Sequence, residues 1–299
     1  MLERPAHHGP VPAPNPAAPG ARRGFHRFRR NGLSIVGLML VACLVVVALI
    51  GPMLVPHPDH VTGMVNAADR LQPPSSRYWF GTTDLGQDIL SLVIAGARIS
   101  LLCGIAVVAF ASVVGSLIGG IAGYLGGWVD EVLMRVTDIF LSLPSLILAM
   151  AVAAALGGGL VEVILALVLS WWPGFARLAR GEVIAVREEA FVQSAYAIGA
   201  SPARILARHI LPNVISAIVV KASLDVGFAI LAVASLGFIG IGVKPPTPEW
   251  GTLLSGARTL MPDYWWTAAF PGLAISIAVL GFNLLGDGLR DVLDPKSRR

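Results

Sequence analysis

The chain has 299 residues, 55% of them apolar and 13% charged, with a mean hydropathy of +0.74 and a formal net charge of +4. A soluble domain carries about 25% charged residues, so these side chains are too few to cover a water-soluble globule. The two cysteines, Cys43 and Cys103, lie inside apolar runs, which excludes a secreted disulfide scaffold. The composition is that of an all-α, polytopic membrane protein.

The first twenty residues hold six prolines and no apolar periodicity, and Arg22, Arg23, Arg27, Arg29 and Arg30 follow. Residues 1–31 therefore read as a disordered, Pro-rich and basic cytoplasmic tail facing anionic headgroups. A helix rises 1.5 Å per residue, so about 20 apolar residues cross a hydrocarbon core of about 30 Å. Six stretches meet or approach that length: Gly32–Val55, Ile99–Tyr124, Ile139–Leu156, Leu160–Ala179, Val214–Val243 and Phe270–Leu285. The first is too long for a signal-peptide core and no A-x-A site follows it, so residues 32–55 are expected to be a retained transmembrane helix. Residues 56–98 form an extracytoplasmic segment. Before the third span, Val129, Val132, Leu133, Val136 and Phe140 recur at helical spacing and predict an amphipathic helix. Residues 99–290 make a five-helix core that includes a cytoplasmic loop at 174–212, and residues 291–299 a cytoplasmic tail.

Basic residues favour the cytoplasmic side. With alternating spans, sixteen fall on one side, in the N-terminal segment, the second loop (Arg135), the fourth loop and the C-terminal tail. Four fall on the other: Arg70, Arg77, Lys244 and Arg258. Both termini are thus expected in the cytoplasm, and the positive charge reads as a topology signal rather than a nucleic-acid footprint. The partner of this surface is the lipid bilayer.

The loop at 174–212 has specific punctuation. Val186 to Ile198 contains good helix formers and Gly199 stands where a C-terminal cap would end that helix. Ser201-Pro202 supplies an N-cap and a proline at the first helical position. A second short helix then runs from Pro202 to about Ile210, and Pro212 is expected to interrupt it before the fifth span. Two readings fit: an ordinary hairpin returning the chain to the membrane, or a compact helix pair shaped to fill a groove on a partner.

Ionisable groups inside spans suggest function or an internal partner. Lys221 and Asp225 are spaced i,i+4 and share a helix face; they fit either a structural ion pair or a hydrophilic passage. Asn283, Asp287 and Arg290 fit the capping of a helix end. The outer aromatics Tyr78, Trp79, Trp250, Tyr264, Trp265 and Trp266 fit interface anchors or a platform for an extracytoplasmic protein. No Gly-Lys-Ser/Thr phosphate loop and no H-E-x-x-H motif occurs, and the six histidines lie outside the spans. The chain is read as a non-catalytic subunit with no cofactor of its own. A secondary transporter is the competing reading; it requires paired broken helices and coupling acids near the midplane.

Phe191-Val192-Gln193-Ser194-Ala195-Tyr196-Ala197-Ile198-Gly199-Ala200-Ser201, with Arg208-His209-Ile210-Leu211-Pro212-Asn213, resembles the E-A-A loop of ABC-importer permeases. Gln193 stands where glutamate is usual and Ser194 where alanine is usual. Phe80-Gly81-Thr82-Thr83-Asp84-Leu85-Gly86-Gln87-Asp88 and Gly96-Ala97-Arg98-Ile99-Ser100-Leu101 resemble the segment before span two in peptide-importer permeases. The stretches 240–251 and 282–295 resemble that family's C-terminal signature. The resemblance, to the dipeptide/oligopeptide (and nickel) importer permeases of the DppC/OppC type, implies a type I ABC-importer permease fold in a bacterial plasma membrane. It implies a homologous second permease, two ATPase subunits that bind ATP and Mg, and an extracytoplasmic substrate-binding protein. It places the ATPase contact at Gln193, Ser194, Ala195, Gly199, Ala200, Ser201, Pro202 and Arg204, and leaves dipeptides, oligopeptides or nickel chelates as cargo.

Overall fold

The computed structural model describes residues 31–293; the proline-rich tail and the end of the C-terminal tail expected from the sequence lie outside them. Long apolar helices dominate. They are α1 (Gly32–Leu54), α3 (Ile89–Leu125), α6 (Leu160–Arg187), α9 (Leu211–Ile239) and α11 (Trp266–Leu293). Shorter ones are α2 (Pro58–Val61), α4 (Gly127–Leu141), α5 (Ser145–Ala155), α7 (Ala190–Ala197), α8 (Pro202–Ile205) and α10 (Trp250–Ala257). Among the described residues five helices are long and apolar enough to cross a membrane, or six if the bent pair α4–α5 counts as one span. Among the described residues there is no β-strand, only an isolated bridge between Thr82 and Asp88.

Helix α1 is apolar all round and buries only a narrow stripe of Ser34, Gly37, Val41, Ala48 and Gly51. Those small residues let it approach α11 closely: Gly37 faces the backbone of Leu284–Leu285, and Gly281 faces Leu40 and Val41. At the same end Asn31 accepts from the Leu33 N–H and donates to Asp291, so the start of α1 is tied to the end of α11.

Helix α3 has 37 residues, hence a length of about 55 Å. It starts ten residues earlier than the apolar pattern indicates, because Asp88 caps it by accepting from the Ser91 N–H at 3.0 Å. Along it Gly115, Gly119 and Gly123 recur every four residues. Cβ atoms on Gly115 and Gly119 would overlap the carbonyl oxygens of Trp172 and Ala176, and one on Gly123 would come within 2.8 Å of that of Arg180. Helices α3 and α6 therefore meet backbone to backbone, the close approach that small residues permit between membrane helices. Around this contact lies the main core, including Val107, Ala111, Leu167, Phe175, Ile230 and Phe282.

Three expectations are corrected. The third span, read as continuous over Ile139–Leu156, is broken at Ser142-Leu143-Pro144, and its two helices meet at 86°. Proline lacks an N–H and restricts the residue before it, so the first helix stops and the second starts from Pro144. The helix read over Val186–Ile198 is two helices, because α6 continues to Arg187 and Glu189 then takes extended backbone (φ −68°, ψ 140°) ahead of α7. Pro212 does not interrupt the chain before the fifth span. Residues 202–239 stay helical through a π turn at Leu206–Ile210, where the Leu211 N–H reaches the Leu206 carbonyl. The wider turn accommodates a proline that has no N–H to donate.

The α3–α6 contact yields a paired test. Gly119→Ala forces the helices apart and should cost about 1–3 kcal/mol, the usual range for overpacking. Gly120→Ala, with open space around its Cβ, should be neutral or slightly stabilising. Thermal denaturation of the detergent-solubilised protein, comparing the two variants, reads the difference.

Candidate functional site

The 188–210 loop has its own hydrophobic cluster. Ala179 and Val183 of α6, Val192 and Ala195 of α7, Ile205 of α8, Ile210 of the π turn and Val214 of α9 bury their side chains together. Val192 and Ala195, three apart, form the inward face of α7. Helix α7 ends in a full Schellman turn: the Ala200 N–H donates to the Ala195 carbonyl (3.1 Å) and the Gly199 N–H to the Tyr196 carbonyl (3.0 Å). Gly199 takes φ +77° with open space around its Cβ, so glycine is needed there for backbone conformation and not for clearance. Pro202 then opens α8, with the Ile205 N–H donating to the Ser201 carbonyl at 3.0 Å.

The structure brings the eight loop residues singled out in the sequence into one elbow, but not onto one face. Gln193, Ser194, Gly199, Ser201, Pro202 and Arg204 are exposed, whereas Ala195 is buried and Ala200 half-buried against the cluster. Gln193 Nε2 donates to the Arg187 carbonyl at 2.8 Å and Ser194 Oγ to the Ala190 carbonyl at 2.8 Å. A residue outside that set dominates the tip: Ile198 is 85% exposed, beside the partly exposed Phe191 and Tyr196. The signal of Ile198 in the sequence was faint, since a lone apolar residue before a capping glycine is equally consistent with burial.

Lys221 and Asp225 lie near the middle of α9, with Lys221 Nζ 2.9 Å from Asp225 Oδ2. Both side chains are partly buried, and the ammonium sits 5.0 Å from the Phe175 ring centroid of α6. One to four turns further along the same stripe of α9, Phe228, Ala232 and Ser235 line a cavity of about 200 Å³ with Ser145, Ser170 and Trp171. The Ser170 and Ser235 hydroxyls donate to the carbonyls of Ala166 and Leu231 on their own helices, so the wall is mostly apolar, carries three serines and holds no charged side chain. Asn283, on α11, lies against Gly227 of α9.

At the opposite end of the bundle the 57–88 segment folds against the start of α11. The Trp266 indole donates to the Thr82 carbonyl and Phe80 stacks on Phe270 at 3.9 Å between centroids. A cavity of about 390 Å³ opens between Thr83–Gln87 and the prolines at 245, 246 and 248. His60 is buried and its Nδ1 accepts from the Asp88 N–H at 2.8 Å. Burial, and next to it the neighbouring His57 ring, hold its pKa below the usual histidine value, against weaker upward pulls from Asp88, Asp59 and Asp69. Among the described residues no group of three or more His, Cys, Asp or Glu side chains is arranged to hold a metal ion.

Residues 115–299 match the family described as binding-protein-dependent transport system inner membrane component, and residues 21–74 match the N-terminal transmembrane domain of oligopeptide transport permease C. The chain is 42% identical to the dipeptide transport system permease protein DppC of Alkalihalophilus pseudofirmus, over 98% of both chains. It is 43% identical to the probable D,D-dipeptide transport system permease protein DdpC of Escherichia coli K12, over 89% of this chain and 88% of that one. It is also 42% identical to the glutathione transport system permease protein GsiD of Escherichia coli, over 91% and 89%. Among solved structures, an inward-facing form of the MetNI methionine ABC transporter matches 67% of this chain and 96% of its own, with a TM-score of 0.54 and 21% identity, a likeness of fold.

The His60 contact carries a pH dependence of definite sign. A histidine whose folded-state pKa is lowered contributes stability that is present above its unfolded value of about 6.5 and is lost as pH falls through the folded pKa. Amide protection factors across residues 56–98, taken relative to the intrinsic exchange rate at each pH, should therefore fall as the pH is lowered from 7.5 to 5. His60→Asn, whose amide oxygen accepts the same hydrogen bond without titrating, should flatten that change.

Proposed function

Because this chain belongs to the family of binding-protein-dependent transport system inner membrane components, we propose that it is a permease subunit of an ATP-binding-cassette importer for short peptides. In this reading it sits in a bacterial plasma membrane with both termini and the 188–210 elbow in the cytoplasm, as the sixteen-to-four division of basic residues favours. A homologous second permease completes the path. Two ATPase subunits carry ATP and Mg, and an extracytoplasmic binding protein delivers cargo to the face formed by residues 56–98 and the loop before α11.

The observation that carries the proposal is the exposed elbow around Ile198 and Gly199, built on a separate hydrophobic cluster at the ends of two spans. An apolar knob of this kind suits a groove on a motor subunit. The chain has no phosphate-binding loop, so the energy must enter through that contact. Closure of the ATPases biases the spans between inward-open and outward-open states only in so far as the closed motor prefers one position of the elbow. The Lys221–Asp225 pair and the serine-lined cavity along the same stripe of α9 are assigned to the translocation path. Peptide is the cargo favoured by the relatives' names, ahead of nickel chelates.

Co-expression with the neighbouring transport genes and capture on a tag at this chain tests the reading. The wild type should retain an ATPase subunit, and Ile198→Asp should weaken retention about 10–100-fold, the effect of losing an interface anchor. Dialanine uptake should fall in step. Undiminished uptake after deletion of the ATPase genes would overturn the proposal.

A further inference from the structure

Helix α3 is far in sequence from the 188–210 loop, yet its last turn contacts Arg187, just before that loop, and Pro202 within it. The backbone leaves helical geometry at Gly126 (φ +68°), so the carbonyls of Gly123 and Tyr124 lose their partners within the helix. Arg187 Nη1 donates to both, at 3.0 and 2.9 Å, and its guanidinium carbon lies 5.9 Å from the Tyr124 ring centroid. A cation at a helix C-terminus also complements the helix dipole. The carbonyl of Arg187 accepts from Gln193, on α7. On the other side of the elbow the Tyr124 hydroxyl donates to the Pro202 carbonyl at 3.2 Å, at the start of α8.

The Arg187 guanidinium thus ties the end of α6, from which the elbow departs, to the end of α3, and the Tyr124 phenol ties α3 to the start of α8 beyond the Schellman turn, while α3 is itself locked to α6 along Gly115, Gly119 and Gly123. The remaining connection, through Leu206–Ile210 into α9, is a π turn. Such a turn interrupts the regular α-helical ladder, is rare, and recurs at functional sites. We propose that Arg187 and Tyr124 are positioning residues that make the elbow move as one body with α3 and α6, and that the π turn is the compliant joint to α9. A displacement of the elbow then becomes a displacement of the α3–α6 pair relative to α9. This rests on the reading of the elbow as the ATPase contact.

The test uses the complete complex in proteoliposomes, with dialanine as probe, and reads dialanine transported per ATP hydrolysed. Arg187→Met should keep its ATPase subunits while the ratio falls about tenfold. Tyr124→Phe, which removes one hydroxyl and spares the fold, should lower it about threefold. Arg187→Lys should fall between Arg187→Met and the wild type, because a point charge replaces a fork of donors. Hydrogen exchange over residues 190–205 should quicken in the same order, with residues 32–54 unchanged. A ratio within twofold of the wild type in both Arg187→Met and Tyr124→Phe overturns the inference. So does loss of ATPase subunits from both, which would reduce the pair to a part of the fold or of the docking surface. A wild-type complex without ATP-driven uptake would overturn instead the function from which the inference proceeds.

Discussion

Between helices in an apolar solvent, burial of apolar side chains supplies little driving force, and close van der Waals packing has to hold the bundle. In this protein that requirement falls on three glycines, Gly115, Gly119 and Gly123, whose missing Cβ atoms are the space occupied by the carbonyls of α6. Everything at the far end of α6 takes its position from this contact. Arg180 reaches Asp130 on α4 with two hydrogen bonds, and Arg177 reaches Asp138. The amphipathic helix α4 is thereby pinned across the end of the span it faces.

Among the described residues there are two hydrophobic cores of unequal size. The larger joins α1, α3, α6, α9 and α11, and the smaller is built from the ends of α6 and α9 with the two short helices between them. A separate small core lets the 188–210 elbow keep its shape at the edge of the membrane bundle. The exposed Ile198 depends on this, because an apolar side chain on an unsupported loop would fold back rather than stand out. Val192 and Ala195 anchor one face of α7, which leaves the opposite face exposed.

Buried acids play two different parts. Glu249 is 1% exposed, yet its carboxylate accepts from Ser100 Oγ and from the N–H groups of Gly251 and Thr252. Its acceptor capacity is taken up in capping α10 and fastening it to α3, so it is a structural fixture. Asp225 has Lys221 beside it and the rest of its surroundings are helix wall. The pair is less enclosed than Glu249 and lies along the stripe that continues to the serine-lined cavity.

The long apolar helices and the membrane setting were determined by the sequence alone, because about 20 apolar residues in a row have no other stable destination than a bilayer. Gly199 and Ser201-Pro202 were equally plain, since a left-handed cap and a proline-led helix start are local backbone requirements. Contacts between distant segments were decided only by the tertiary structure. The bracing of the elbow depends on Tyr124 meeting Pro202, 78 residues away, and nothing in the local sequence around either reveals it. The break at Pro144 and the unbroken passage through Pro212 show the same division. Both prolines disfavour a helix by the same steric rule, and the difference is whether the neighbouring packing lets the chain turn aside or widens one turn to let it through.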